Sequence, residues 1–251
     1  MHKILRHSLL LIAALGVLSA CRPTGSGFVK NPIDNIIRDN AQLENYSILL
    51  HDMDYREKDD AYLHQYRILK SPVGKDTVVE EKTGWLEVPA PYFEEHVNDM
   101  GMALVTKTDG KVEKKVSPPG YNNYVGNEKY GQWEKRSDGS SFWAFYGQYA
   151  FMRSMLGFGS PIGYGGWYDY RRNYYPYGRT YYGSSPRGGT RFGTGGTHTR
   201  NRSTGSTWSR RSSSFKQNVR SRAKRSARRS RSSSRYRSTS RSRGRGFGGG
   251  K

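Results

Sequence analysis

Apolar positions first recur near helical spacing at Ile33, Ile36, Ile37 and Leu43, behind residues that suit a helix start. Asn31 can cap, Pro32 fits the first helical position, and Asp34 lies favourably in the first turn. This predicts a short amphipathic helix reaching about Asn45. Residues 46–55 and 61–70 are rich in aromatic and β-branched side chains, with Glu57, Lys58, Asp59 and Asp60 as a polar turn between them, which predicts an antiparallel hairpin. Residues 77–88 read as a further strand. Pro89, Ala90 and Pro91 then break it and open a short helix over residues 92–99, ended by Gly101. Residues 102–108 and 111–116 flank Asp109 and Gly110, a hairpin signal.

In residues 142–156, behind Ser140 or Ser141 as a cap, apolar and aromatic side chains fall on nearly every side. That predicts a helix buried against the sheet, or partly inserted at a membrane interface. The fold class predicted is α+β: a small, mostly antiparallel sheet with two or three short helices over residues 31–156, followed by a long disordered basic tail. From residue 157 the periodicity stops. Residues 157–183 interleave glycine with tyrosine and tryptophan, as a linker would, and residues 184–251 are dominated by Ser, Arg, Gly and Thr. Within that tail Phe215, Val219, Ala223 and Ala227 lie four apart among basic residues, the spacing of a basic amphipathic helix on an acidic surface. So thin a stripe predicts solvated coil for the free segment.

Composition sharpens this division. The 251 residues carry a formal net charge of +21, a mean hydropathy of −0.87, 34% hydrophobic residues and 30 glycines. Residues 1–150 hold 18 basic and 20 acidic side chains, whereas residues 151–251 hold 24 basic and 1 acidic. One uniform globular domain is excluded as the reading of such a split.

The amino terminus supplies an address. Lys3 and Arg6 precede an apolar run over residues 9–17, too short to span a bilayer as a helix, and small residues follow, so residues 1–20 read as a signal peptide. Leu18, Ser19, Ala20 and Cys21 resemble the bacterial lipobox. The resemblance implies cleavage between Ala20 and Cys21 and acylation of Cys21, with two or more chains holding the protein durably. Cys21 is the single cysteine, so no internal disulfide framework exists. Residues 21–30 read as the lipidated cysteine and its tether. Arg22 stands where an inner-membrane aspartate signal would be, so the resemblance favours the outer membrane facing the periplasm, with the inner membrane as the alternative.

Catalytic patterns are few. The chain contains no GxSxG, HExxH, Walker loop or CxxC. In a regular hairpin His51 and His64 would share a face with Met53, and Asp52 and Asp54 would point to the other; two imidazoles without a third ligand make a poor metal site. His96 is a further histidine that an enzyme would have to bring together with these and with carboxylates. Glu80 with Glu81, and Glu94 with Glu95, are adjacent pairs whose side chains diverge and read as solvated faces. No catalytic residue, metal or cofactor, and no small-molecule substrate, is expected.

The tail carries the binding chemistry. Lys216, Arg220, Arg222, Lys224, Arg225, Arg228, Arg229, Arg231, Arg235, Arg237, Arg241, Arg243 and Arg245 are the polyanion-binding candidates, since guanidinium groups pair with phosphate and carboxylate in a fork geometry. The Ser-Arg alternation and the ending Arg243-Gly244-Arg245-Gly246 resemble the RS and RGG segments of RNA-binding proteins. For an exported chain the abundant polyanions are envelope polymers and lipid surfaces, which become the expected partner, with nucleic acid the alternative. The Gly131-Gln132-Trp133 segment, the aromatic stretch before Gly157 and the Ser/Arg/Gly ending resemble a type of small bacterial envelope lipoprotein, a resemblance that implies no activity. The sequence thus predicts a non-enzymatic, lipid-anchored envelope protein that reaches an anionic partner.

Overall fold

A computed structural model describes residues 29–72, 77–186, 188–202 and 204–238, with side chains described to residue 229. The signal peptide, Ala20, Cys21 and the tail from residue 239 lie outside the described residues. The architecture is α+β, built on a six-stranded antiparallel sheet with a smaller antiparallel sheet of three strands.

β1 (Asn45–Arg56) and β2 (Ala61–Ser71) form the central hairpin. β3 (Val79–Lys82) and β4 (Leu86–Val88) both pair with β2, and β5 (Ala103–Thr108) joins the other side of β1, followed by β6 (Lys111–Glu113). The single strand expected over residues 77–88 is divided because Thr83 interrupts the ladder: its Oγ1 accepts the Tyr66 N–H at 3.0 Å. The β5–β6 turn is as its residues dictate, with both Asp109 (φ 48°) and Gly110 (φ 79°) left-handed, the conformation of a type I′ hairpin.

Both faces of this sheet are covered. On β1, Tyr46, Ile48 and Leu50 point into the first core and Leu49 into the second. The register then shifts between Leu50 and Asp52, so that Met53 and Tyr55, not Asp52 and Asp54, continue the first core. The bulge inserts one residue and exchanges the parity of the strand.

Helices fill the first face: α1 (Pro32–Asp39), capped by Asn31 Oδ1 on the Ile33 N–H, and α2 (Ala90–His96). The second face is covered by aromatic side chains and by the small sheet of β7 (Gly131–Lys135), β8 (Ser141–Phe145) and β9 (Ile162–Gly163). Gly131 is required by close approach, since a β-carbon there would lie 2.2 Å from the Ala144 carbonyl oxygen. The helix predicted over residues 142–156 is instead β8, a one-turn 3-10 segment and the short α3 (Met152–Met155). As the middle strand of its sheet β8 carries aromatic groups on both sides, which produces the same all-round apolar signal as a buried helix.

Of the residues expected to form a disordered tail, the described ones between 184 and 238 carry helices, and those from 239 lie outside the described residues. α4 (Tyr164–Asp169) lies in the stretch read as a linker, and α5 (Thr197–Arg202), α6 (Thr207–Arg210) and α7 (Ser213–Ser238) lie in the stretch read as the tail. Tyr170, Tyr181 and Phe192 are buried in the second core; Trp208, Val219 and Ala223 are buried in the first. The expectation failed because it counted branched aliphatics. Aromatic rings bury large areas each, and their hydroxyls find partners here: Tyr170 donates to Asn122 (2.5 Å), Tyr175 to Glu113 (2.8 Å) and Tyr182 to Asp99 (2.7 Å).

Candidate polyanion interface

α7 is amphipathic in the register that its sequence implies. Val219, Ala223 and Ala227 are buried, and the Phe215 ring lies 6.4 Å from both Tyr55 and Trp208. The acidic surface that such a helix wants is supplied by the chain itself. Arg211, just ahead of α7, makes a two-pronged ion pair with Asp54 (Nε to Oδ1 2.9 Å, Nη2 to Oδ2 2.8 Å), and Arg222 donates to the Tyr55 hydroxyl at 3.0 Å, which in turn donates to Asp60. The docking begins at Asp52, a buried carboxylate that accepts the backbone N–H groups of Thr207 (2.6 Å) and Trp208 (3.1 Å) at the start of α6.

With its apolar side occupied, α7 turns its remaining cations outward. Arg220, Lys224, Arg225 and Arg228 are exposed and form no ion pair among the described residues. Arg220, Lys224 and Arg228 follow one another at four-residue intervals, about 6 Å apart along the helix axis. Arg229 is also exposed, and Lys216 donates to the Ser209 carbonyl at 3.1 Å. Between residues 213 and 229 the helix holds seven basic side chains and no acid. Arg231, Arg235 and Arg237 belong to the same helix by backbone, while Arg241, Arg243 and Arg245 lie outside the described residues.

The chain matches no protein-family model, no curated protein and no solved structure.

The histidines do not converge. His64 is fully buried on the first face, 3.0 Å from the Tyr66 hydroxyl, and burial holds its imidazole well below the ordinary range, with His96 adding to the effect. The β1 bulge sends His51 to the opposite face, beside Arg67, His198 and Arg202. There burial, with Lys82 and Arg67 nearby, lowers it to about 4. His96 is held by Asp99 at 2.8 Å, and that carboxylate also accepts from Tyr182. No group of three His, Cys, Asp or Glu suited to a metal occurs among the described residues. Glu80 lies on an exposed strand, as expected, and takes both prongs of Arg67 at 2.8 Å.

The residues that local sequence did not mark are Asp52 and Asp54 as docking acids. Their partners lie 155 to 157 positions downstream, and no local periodicity encodes a contact of that range.

Proposed function

We propose that this protein is a lipid-anchored envelope protein whose cationic helix α7, with the arginine-rich residues beyond it, binds an anionic polymer or lipid surface. The observation that supports this is the outward row formed by Arg220, Lys224, Arg225 and Arg228 on a helix whose apolar side is already used within the chain. Exposed like charges on an ordered helix keep their backbone spacing, so binding costs less ordering entropy than on a coil, and a polyanion binding them releases counterions. Anchorage through acylated Cys21 rests on its resemblance to the lipobox. No helix among the described residues is long and apolar enough to cross a membrane. The proposed role is binding to that partner, without catalysis.

The test compares the full chain in detergent micelles with R220Q/K224Q/R225Q/R228Q. Binding is measured to vesicles containing phosphatidylglycerol, to lipopolysaccharide and to duplex DNA across a salt series. Each cation near an anionic surface contributes about 1 kcal/mol, so the variant is expected to lose roughly 10²–10³ in vesicle affinity at low salt. On DNA its salt slope should fall by about four. Equal affinity of variant and parent for all three would overturn the reading, whereas binding confined to DNA would turn it toward nucleic acid. Cys21→Ser separates anchor from adhesion: in cells it should leave the membrane fraction at high salt while the parent remains.

A further inference from the structure

A second cationic feature lies away from the α7 row. Arg153, Arg191 and Arg202 open onto one groove of about 870 Å³, with Phe158, His198 and Asn201 among its other walls and no carboxylate lining it among the described residues. Like charges gathered around a shared space repel unless an anion answers them. Arg202 and Arg191 are held by neighbouring groups. Arg202 donates to the Ser154 carbonyl (2.8 Å) and the Met155 carbonyl (3.0 Å) at the end of α3. Its stem crosses Gly157, where a β-carbon would meet Arg202 Cδ at 2.4 Å, so glycine is what lets the arginine lie flat there. The Arg191 guanidinium carbon stands 5.7 Å from the Phe158 ring centre and 5.4 Å from that of Phe192.

Arg67 reinforces the arrangement. It donates to the same Met155 carbonyl as Arg202, at 2.7 Å, and its own charge is answered by Glu80. Burial and the neighbouring Arg67 hold Arg202 below the ordinary guanidinium range. The His198 ring lies 4.8 Å from that of Phe158, with Nε2 at 3.1 Å from the Leu156 carbonyl and Nδ1 buried without a partner.

We infer that this groove is a binding site for a phosphate ester, separate from the polymer-binding face of α7. Guanidinium groups meet phosphate oxygens through paired N–H donors, and three of them exceed what a single carboxylate can answer. The volume lies in the range of small-ligand sites, larger than inorganic phosphate needs, so the ligand carries a further group behind its phosphate. A soluble sugar phosphate and the phosphorylated headgroup of a lipid share this chemistry.

The experiment titrates the full chain in uncharged micelles with inorganic pyrophosphate, glucose 6-phosphate, a short-chain phosphatidic acid and, as the neutral control, glucose. Pyrophosphate is expected to bind saturably at one site, with affinity reduced at least about tenfold in R153Q/R191Q. The same affinity should stay within about twofold in R220Q/K224Q/R225Q/R228Q. Preference between glucose 6-phosphate and phosphatidic acid then identifies the source of the ester. Absence of saturable binding by the anions, or a loss that follows the α7 variant and spares the groove variant, overturns the inference. Should R153Q/R191Q fail to fold, the parent alone decides: pyrophosphate must shift the ring resonances of His198 while leaving those of His64 and His96 in place, and unmoved His198 signals overturn the site.

Discussion

Asp52 holds three backbone donors at once: its own neighbour Met53 (2.8 Å), and Thr207 and Trp208 at the start of α6. A buried carboxylate is costly unless it is answered in this way, and the donors would be equally costly without it. Asp52→Ala is therefore expected to destabilise the fold by about 2–3 kcal/mol in urea denaturation, and Asp52→Asn, which keeps one acceptor oxygen, by less. An Asp52→Ala chain as stable as the parent would show that α6 is held by other contacts. None of this was legible from the neighbourhood of Asp52. A regular strand places His51 with Met53 and sends Asp52 and Asp54 the other way, and residues 46–55 read as a regular strand. The inserted residue at the bulge leaves no mark in composition, so the pairing of His51 with His64 that the spacing implied was lost.

At the scale of elements, those with their own turn chemistry were readable: the Asn31 cap and Pro32 of α1, the β1–β2 hairpin, and the Asp109-Gly110 turn. Misreadings came where one signal serves two structures, as in β8, or where the partner is remote, as in α7. The spacing of Phe215, Val219, Ala223 and Ala227 was visible, but an apolar stripe so narrow cannot hold a helix in water without a surface to cover. The surface is Tyr55, Tyr62 and Phe93 together with Trp208, residues from four other elements. Val219→Asp puts an unpaired carboxylate into that contact and is expected to cost about 3 kcal/mol or more, with loss of helical circular dichroism from α7. A helix signal and melting midpoint equal to the parent's would mean that α7 does not depend on this seat.

Across the whole molecule, one sheet separates two cores, and histidines are buried uncharged in or beside both. Burial holds His198 to about 4 and His64 well below its ordinary value, while His51, half-exposed, is lowered to about 4. An unfolded chain takes up these protons below about pH 6.5 and the folded chain does not, so acid favours unfolding. Stability should be complete above that value and fall as pH drops from 6.5 toward 4. The slope is up to about 1.4 kcal/mol per pH unit for each of His64 and His198, with a smaller share from solvent-screened His51. Urea midpoints at pH 7.5, 5.5 and 4.5 check this, and a flat profile over that window would contradict it.

The contact between Asp52 and Thr207 also fixes an order in time. At about 5–20 residues per second, the 155 positions between them separate their synthesis by roughly 8–30 s. During that interval β1 and β2 exist while the helix that seals their aromatic face does not. Until Thr207 and Trp208 are made, Asp52 and the aromatic face of the hairpin have no internal cover, so that face is open to a chaperone or to a second chain for the whole interval.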